Sequence, residues 1–221
     1  MKLAPPGNSI LLHVCCAPCS GAIIEALCAE GFRPTVFWSN SNICTAAEND
    51  KRLSVLLPYA AKFGVPVVTD EYDHSDWLAF VKGQLSGNSA SGRDLASYPE
   101  RGPRCLMCFR YRLLRAARYA ADSGFDCLTT SLASSRWKSL EQVDDAGIWA
   151  VSRALEEVGG AAANLRWWPQ NWRKGGLQPR RSEIIKEQNF YNQAFCGCEF
   201  SLPEYSDNKQ INNQSICPKQ S

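Results

Sequence analysis

The sequence predicts an α/β domain with a parallel sheet and helices on both faces. Short apolar runs of strand length alternate with longer stretches of helical periodicity, as in folds that connect parallel strands through crossover helices. The 221 residues fit one generous domain, and 45% hydrophobic residues suffice for a sizeable core. This composition excludes a disordered, collagenous or multi-span membrane protein.

Five short apolar segments are predicted as strands: 9–14, 34–40, 65–72, 125–131 and 165–168. Six periodic segments are predicted as helices: 20–30, 46–63, 76–82, 105–123, 140–158 and 181–190. Pro58 should interrupt or bend the second helix because it lacks an amide hydrogen. Residues 83–104 are rich in Gly and Ser and are predicted as a long surface loop.

The domain organisation follows from these elements. Residues 1–8 are a short N-terminal extension, 9–201 form a single catalytic domain, and 202–221 form a polar tail that is expected to be disordered. The first apolar run ends at His13 and is too short for a secretion signal, and no segment approaches the ~20 apolar residues of a membrane span. We therefore expect a cytoplasmic protein without a membrane partner.

Cysteine is unusually frequent, with 11 residues. In a reducing compartment, thiols at regular spacings are more often metal ligands or redox groups than structural disulfides. Cys15, Cys16 and Cys19 follow the first predicted strand, and Cys105 and Cys108 lie on one face at the start of a strong helix. The alternative is that both groups are small buried hydrophobic residues.

Two pairs of thiolates suit either a tetrahedral zinc ion or a [4Fe–4S] cluster. A structural zinc usually supports a small domain without a core, whereas these thiols follow the strands of a sheet that has one. Loops at the carboxyl ends of parallel strands form the binding crevice. The location therefore favours a redox cluster.

A third group is Cys196-Gly197-Cys198, whose spacing allows both side chains to share one side of a turn. A disulfide across so short a loop should be strained, and strained disulfides have the high potentials of catalytic pairs. We predict a redox role, with metal ligation or inert thiols as alternatives.

The formal net charge of +2 conceals two basic segments. Residues 101–118 carry +6 and residues 166–186 carry +5, which leaves −9 for the remainder. The second segment also contains Trp167, Trp168 and Trp172. Basic residues among aromatic ones are typical of RNA-binding surfaces, and the alternative is a solvated helix face with buried tryptophans. The candidate RNA contacts are Arg110, Arg112, Arg173 and Lys174.

Six sequence stretches occur in an order that resembles one family: LLHVCCAPCS, SNSNI followed by Glu48, YDHSDW, RCLMCFRYRL, GFDCLTTSL and FCGCEFS. They resemble the cobalamin-independent, iron–sulfur epoxyqueuosine reductases, the QueH family, over residues 9–201. The resemblance implies an adenine-nucleotide hydrolase-like (HUP-type) domain with a helical C-terminal part. It also implies a two-electron removal of the epoxide oxygen of epoxyqueuosine at the tRNA wobble position, and a partner that donates electrons.

By the same resemblance, Cys15, Cys16, Cys105 and Cys108 hold a [4Fe–4S] cluster, and Cys196 and Cys198 form a redox-active disulfide. Cys19 stands where some members have Asp, a position associated with an additional metal ion, so Cys19 is a candidate ligand for that ion. The segment WWPQNWRKGG also departs from the family pattern.

Protonation of the departing oxygen requires an acid. Asp70, Glu71 and Asp73 lie near the end of a predicted strand and are candidates for this role.

Two other functions are compatible with clustered thiols and basic segments. One is an iron–sulfur enzyme that thiolates tRNA with ATP, although the loop CCAPCSG lacks the Ser-Gly-Gly-x-Asp-Ser phosphate cradle of such enzymes. The other is a non-enzymatic RNA-binding module stabilised by zinc.

Overall fold

The computed structural model describes residues 2–86, 94–159 and 164–202. In these ranges five strands form one all-parallel sheet in the order β3-β2-β1-β4-β5. The strands are β1 (Ile10–Val14), β2 (Thr35–Trp38), β3 (Val67–Thr69), β4 (Cys127–Thr130) and β5 (Arg166–Trp167). The predicted parallel α/β fold is confirmed, and all five strands fall within their predicted segments.

Six helices accompany the sheet: α1 (Ala17–Ala29), α2 (Ala46–Lys62), α3 (His74–Ser86), α4 (Pro103–Asp122), α5 (Leu140–Glu157) and α6 (Leu177–Glu187). They form two groups, α1 packing with α2 and α6, and α4 packing with α3 and α5. Strand order runs one way from β1 to β3 and the other way from β1 to β5. Right-handed crossovers therefore place α1 and α2 on the opposite face from α5.

The predicted boundaries of α1, α3 and α6 are wrong, and α6 begins at Leu177 instead of residue 181. The bounds of α2 agree with the prediction, but the helix is not interrupted at its proline. Helix α1 begins before residue 20 because Pro18 lies in its first turn, where its missing amide hydrogen costs nothing. Helix α2 continues through Pro58, which is exposed, so water can hydrate the carbonyl that loses its partner. Helix α3 extends to Ser86, into the predicted loop 83–104.

The rest of that predicted loop is only partly described. A 3₁₀ turn occupies Leu95–Ser97, and α4 begins at Pro103. Residues 87–93 and the predicted tail beyond 202 lie outside the described residues. Residues of the N-terminal extension pack on the rest of the chain, with Leu3 buried in the core and the amide of Asn8 donating to Asp126 at 3.2 Å. No helix in the described ranges is both long and apolar enough to cross a membrane.

Strand β1 lies at the centre of the sheet, and all five of its residues are buried. Val14 pairs with Trp38 of β2 and His13 pairs with Thr130 of β4, so the three strands end at nearly the same level. The loops that follow them therefore share one edge of the sheet. That edge lies where the strand order reverses, which is the usual position of a site in such folds.

We predict that Gly147→Ala lowers the free energy of unfolding by about 1–3 kcal/mol, the usual cost of an overpacked core. A Cβ at Gly147 in α5 would lie 2.3 Å from a ring atom of Trp167 in β5, so helix and strand would have to separate. Denaturant unfolding measures the change. Gly83→Ala in α3 is the matched control, because no atom lies within 4 Å of its added Cβ. That variant should be neutral or stabilised by up to about 1 kcal/mol, and equal stability of the two variants would contradict the prediction.

Candidate metal and redox site

A buried histidine joins the carboxyl ends of the three central strands. The Nδ1 atom of His13 lies 2.7 Å from Oγ1 of Thr130, and its Nε2 atom lies 3.2 Å from the carbonyl oxygen of Ser39. Complete burial, reinforced by the nearby Arg112 guanidinium, lowers the pKa of His13 to about 3. The imidazole is therefore neutral, and it fixes the loops after β1, β2 and β4 relative to one another.

The loop after β1 brings three thiols together. The Sγ atoms of Cys15, Cys16 and Cys19 all lie within 4.8 Å of one another, and those of Cys15 and Cys16 are 3.8 Å apart. Hydrogen bonds from Cys16 and Cys19 hold the pKa of the Cys15 thiol well below its usual range, whereas the pKa of Cys19 rises to about 11. Three thiols at these distances can bind one metal ion.

The two thiols at the start of α4 open onto the same cavity. Cys105 and Cys108 line a cavity of about 250 Å³ together with Cys15 and Cys19. Burial is the main cause that raises the pKa of Cys105 and brings that of Cys108 to about 11. Cys16 is buried and does not line the cavity, but its Sγ atom lies 3.8 Å from that of Cys15. The structure thus brings both predicted pairs to one place, and their assignment as ligands stays a prediction.

The Cys-Gly-Cys segment reaches this cavity from the C-terminal part of the chain. Cys196 and Cys198 both line it as free thiols, Cys196 exposed and Cys198 half-buried. Burial and the neighbouring Cys196 raise the pKa of Cys198 well above its usual range. The predicted redox pairing of the two thiols stays a prediction.

Contacts from the loop after β2 and from α2 hold the Cys-Gly-Cys turn in place. The amide of Cys44 donates to the carbonyl of Gly197 at 2.8 Å, and Arg52 donates to the carbonyl of Cys196 at 3.0 Å. Arg52 is itself buried and paired with Glu48 at 2.8 Å. Gly197 has φ +139°, a conformation that L side chains rarely adopt. Arg52 and Cys44 were not selected from the sequence, because no local pattern marks contacts over more than 140 residues.

A lysine that was not predicted from the sequence lies close to Cys196 and within electrostatic range of Cys15 and Cys19. Lys138 Nζ is 3.6 Å from Cys196 Sγ and borders the cavity. Burial acts to lower its pKa, but negative charge on Cys196, Cys15 and Cys19 outweighs burial and raises it. Its position shortly after β4, at the carboxyl edge of the sheet, was a usable sequence signal.

Most of the predicted RNA contacts have intramolecular partners. Arg110 pairs with Asp145 at 3.0 Å, and Arg173 donates to the carbonyls of Ser135 and Lys138 at 2.5 and 2.6 Å. Lys174 is exposed. Their roles as RNA contacts stay predictions, but one guanidinium nitrogen of Arg173 already donates to the protein backbone.

Arg112 and two tryptophans of the second basic segment are buried, whereas the third, Trp167, is half-buried. Arg112 is 2% exposed, borders the cavity and bonds to Asn40 and to the carbonyl of Ser39. Trp168 and Trp172 are core residues, so the interpretation that they stack on bases is wrong. Burial removes these large apolar rings from water, and the two rings pack edge to face with their centroids 5.5 Å apart.

The predicted proton donors do not border the cavity. Asp70 forms a two-point ion pair with Arg115 and accepts from Ser39, and neither Glu71 nor Asp73 lines the cavity. Among the described residues, the carboxylate that lines the cavity is Glu100.

The fold and the site define a thiol-rich α/β protein with a candidate metal and redox centre at the carboxyl edge of its sheet. Comparison with known proteins identifies the family. The family model described as "Epoxyqueuosine reductase QueH" matches residues 10–204, and the chain belongs to this family of oxidoreductases.

Curated relatives of the same description support this membership. The protein of Acinetobacter baylyi is 38% identical over 202 residues, covering 91% of this chain and 84% of the relative. That of Histophilus somni is 37% identical over 214 residues, covering 97% and 80%. That of Thermotoga maritima is 30% identical over 201 residues, covering 89% and 92%.

We predict that iodoacetamide at pH 7 modifies Cys196 faster than Cys198 in the reduced protein. Cys196 is exposed, whereas the raised pKa of Cys198 keeps it a thiol, and only the thiolate reacts. Below that pKa the initial rate at Cys198 should rise about tenfold per pH unit, because the thiolate fraction does. Peptide mass spectrometry measures each site, and buried Cys127, whose pKa is about 12, serves as the unreactive control. A rate at Cys198 that equals that of Cys196, or does not change with pH, would contradict this.

Proposed function

We propose that this chain reduces epoxyqueuosine at the wobble position of tRNA to queuosine. The observation that carries the proposal is that thiols from three distant segments, 15–19, 105–108 and 196–198, converge on one cavity in a member of the QueH family. A tRNA substrate, a separate electron donor and a cytoplasmic location belong to the same proposal.

The residues around the cavity fit an iron–sulfur cluster. Four thiols are available for it: Cys15, Cys105 and Cys108 line the cavity, and the Sγ atom of Cys16 lies 3.8 Å from that of Cys15. Cys19, which also lines the cavity, adds a thiol for an additional metal ion. Such a cluster supplies one-electron transfer when it is bound. Thiolate ligands carry negative charge, so a suitable site must contain compensating cations.

Two buried arginines provide such cations. Arg112 is 2% exposed, and its hydrogen bonds go to the neutral oxygens of Ser39 and Asn40. Arg104 is 3% exposed and donates to the carbonyl of Leu95. Among the described residues no carboxylate forms an ion pair with either. A buried cation is costly without a counter-charge, and ligand thiolates would supply one.

The proposed reaction balances with the Cys196 and Cys198 thiols as the immediate reductant. Their oxidation to a disulfide forms one S–S bond and releases two electrons and two protons. The two C–O bonds of the epoxide break, the oxygen leaves as water with those protons, and a carbon–carbon double bond remains. An external donor must then reduce the disulfide. Lys138 holds a proton beside Cys196, the more exposed of the two sulfurs.

A visible spectrum distinguishes this function from a zinc-stabilised RNA-binding module. We expect anaerobically purified protein to be brown and to absorb near ~400 nm, and Cys105→Ser to lose this absorbance. Cys28→Ser is the matched control, because Cys28 is a half-buried thiol of α1 outside the cavity and should leave the spectrum unchanged. A colourless protein that contains stoichiometric zinc would contradict the proposal.

We predict that Cys196→Ser retains the visible absorbance but reduces epoxyqueuosine in tRNA only at background level, because one sulfur cannot form the disulfide. Cys105→Ser should lose both absorbance and turnover, and Cys28→Ser should retain both. Nucleoside analysis by mass spectrometry after incubation with epoxyqueuosine-containing tRNA and a chemical reductant measures the product. Full activity of both Cys196→Ser and Cys105→Ser would refute the mechanism, and incorporation of sulfur into tRNA would indicate thiolation instead.

A further inference from the structure

An exposed tryptophan stands at the mouth of the cavity. Trp137 is 73% exposed and borders the cavity that the thiols line. The other exposed large hydrophobic side chains in the described ranges are aliphatic: Leu57, Ile148 and Val158. None of these three borders the cavity. A single exposed hydrophobic residue needs no explanation, but an indole at the entrance of a functional site does.

The backbone that carries this indole is held by two arginines. Arg101, just before α4, donates from Nε to the carbonyl of Trp137 and from an Nη atom to that of Arg136, both at 3.1 Å. Arg173 donates to the carbonyls of Ser135 and Lys138, the two ends of the same four-residue segment. All four carbonyls of the segment 135–138 thus accept from a guanidinium, which fixes the segment and keeps the indole at the rim.

The surroundings of the indole are strongly cationic. Arg101, Arg104, Lys138 and Arg181 line the same cavity as Trp137, and among the described residues that line it Glu100 is the one acidic side chain. Positive charge attracts phosphates, and exposed aromatic rings bind unpaired bases by stacking. The combination fits single-stranded RNA, whose phosphates pair with the cationic side chains. An apolar protein partner would bury these cations without a counter-charge.

We propose that Trp137 stacks on the unpaired loop base adjacent to the nucleoside that enters the cavity. This inference rests on the proposed function, which requires a wobble nucleoside to leave its stack and reach the thiols. A cavity of about 250 Å³ leaves the neighbouring nucleotides outside, at the rim where the indole lies. Trp137 is therefore a substrate-binding residue that contributes to the affinity for RNA.

Binding of an anticodon stem-loop RNA with guanosine at the wobble position tests the proposal without turnover. Stacking contributes at least ~1 kcal/mol per base, so Trp137→Ala and Trp137→Leu should weaken Kd by about fivefold or more. Trp137→Phe retains a ring and should stay within about twofold of the unchanged protein. Ile148→Ala is the matched control, because it truncates an exposed hydrophobic side chain away from the cavity.

A fluorescent base reports the contact directly. With 2-aminopurine next to the wobble position, the unchanged protein should quench the fluorescence at saturation, and Trp137→Ala should not. Equal affinity of all variants, or a Trp137→Leu protein that binds as tightly as Trp137→Phe, would overturn the proposal and indicate a general apolar contact.

The outcomes also separate this inference from the proposed function. If the unchanged protein reduces epoxyqueuosine in tRNA and Trp137→Ala binds RNA normally, only the stacking proposal fails. If the unchanged protein binds the stem-loop through Trp137 but does not reduce epoxyqueuosine, the function fails and the stacking contact stands. If the proposed function and the stacking proposal both hold, Trp137→Ala should raise KM for tRNA, while kcat at saturating tRNA changes by less than twofold.

Discussion

The parallel pairing of β1 with β2 on one side and β4 on the other is the constraint on which the site depends. It brings the ends of three strands to one level, where buried His13 bonds to the ends of both neighbouring strands. A shift of one residue in this register would turn His13 and every other β1 side chain to the opposite face. Because strand order reverses at β1, the loops after β1 and β4 separate and leave a crevice between them. The first of these loops carries Cys15, and the second leads to Lys138.

Charge compensation explains why so many ionisable groups are buried in this crevice. Burial raises the pKa of Cys108, which favours a neutral thiol, while Arg112 lowers it from the side of the cavity. The same guanidinium helps to keep His13 neutral. A centre of this kind has cations in place before its thiols ionise, so ligand binding can release protons without leaving an uncompensated negative charge. Lys138 extends the same arrangement toward Cys196, at the open side of the cavity.

The elements that local pattern determines were predictable, and those that long-range contacts determine were not. Alternating strands and helices predicted all five strands, because each is an apolar run between turn residues. The predicted helix 20–30 began too late, because Pro18 also favours the first turn of a helix and lies inside α1. Cys196 could be recognised as a redox candidate, but its position beside the cavity depends on Arg52, 144 residues away. Trp172 is buried although basic residues flank it in the sequence. The residues next to a tryptophan therefore do not distinguish a core position from an RNA-binding one.

The two basic segments illustrate how charge on a sequence divides between binding and architecture. Part of this charge is neutralised within the fold, as where Arg110 pairs with Asp145. Arg101 of the first segment and Arg173 of the second meet at residues 135–138, where burial and the neighbouring Arg101 guanidinium lower the pKa of Arg173. Two cations placed this close repel each other. The backbone carbonyls of residues 135–138 offset this repulsion because they accept hydrogen bonds from both guanidinium groups. The same arrangement leaves a net positive charge beside Trp137, so the residues that hold the indole in place also supply an attraction for phosphate.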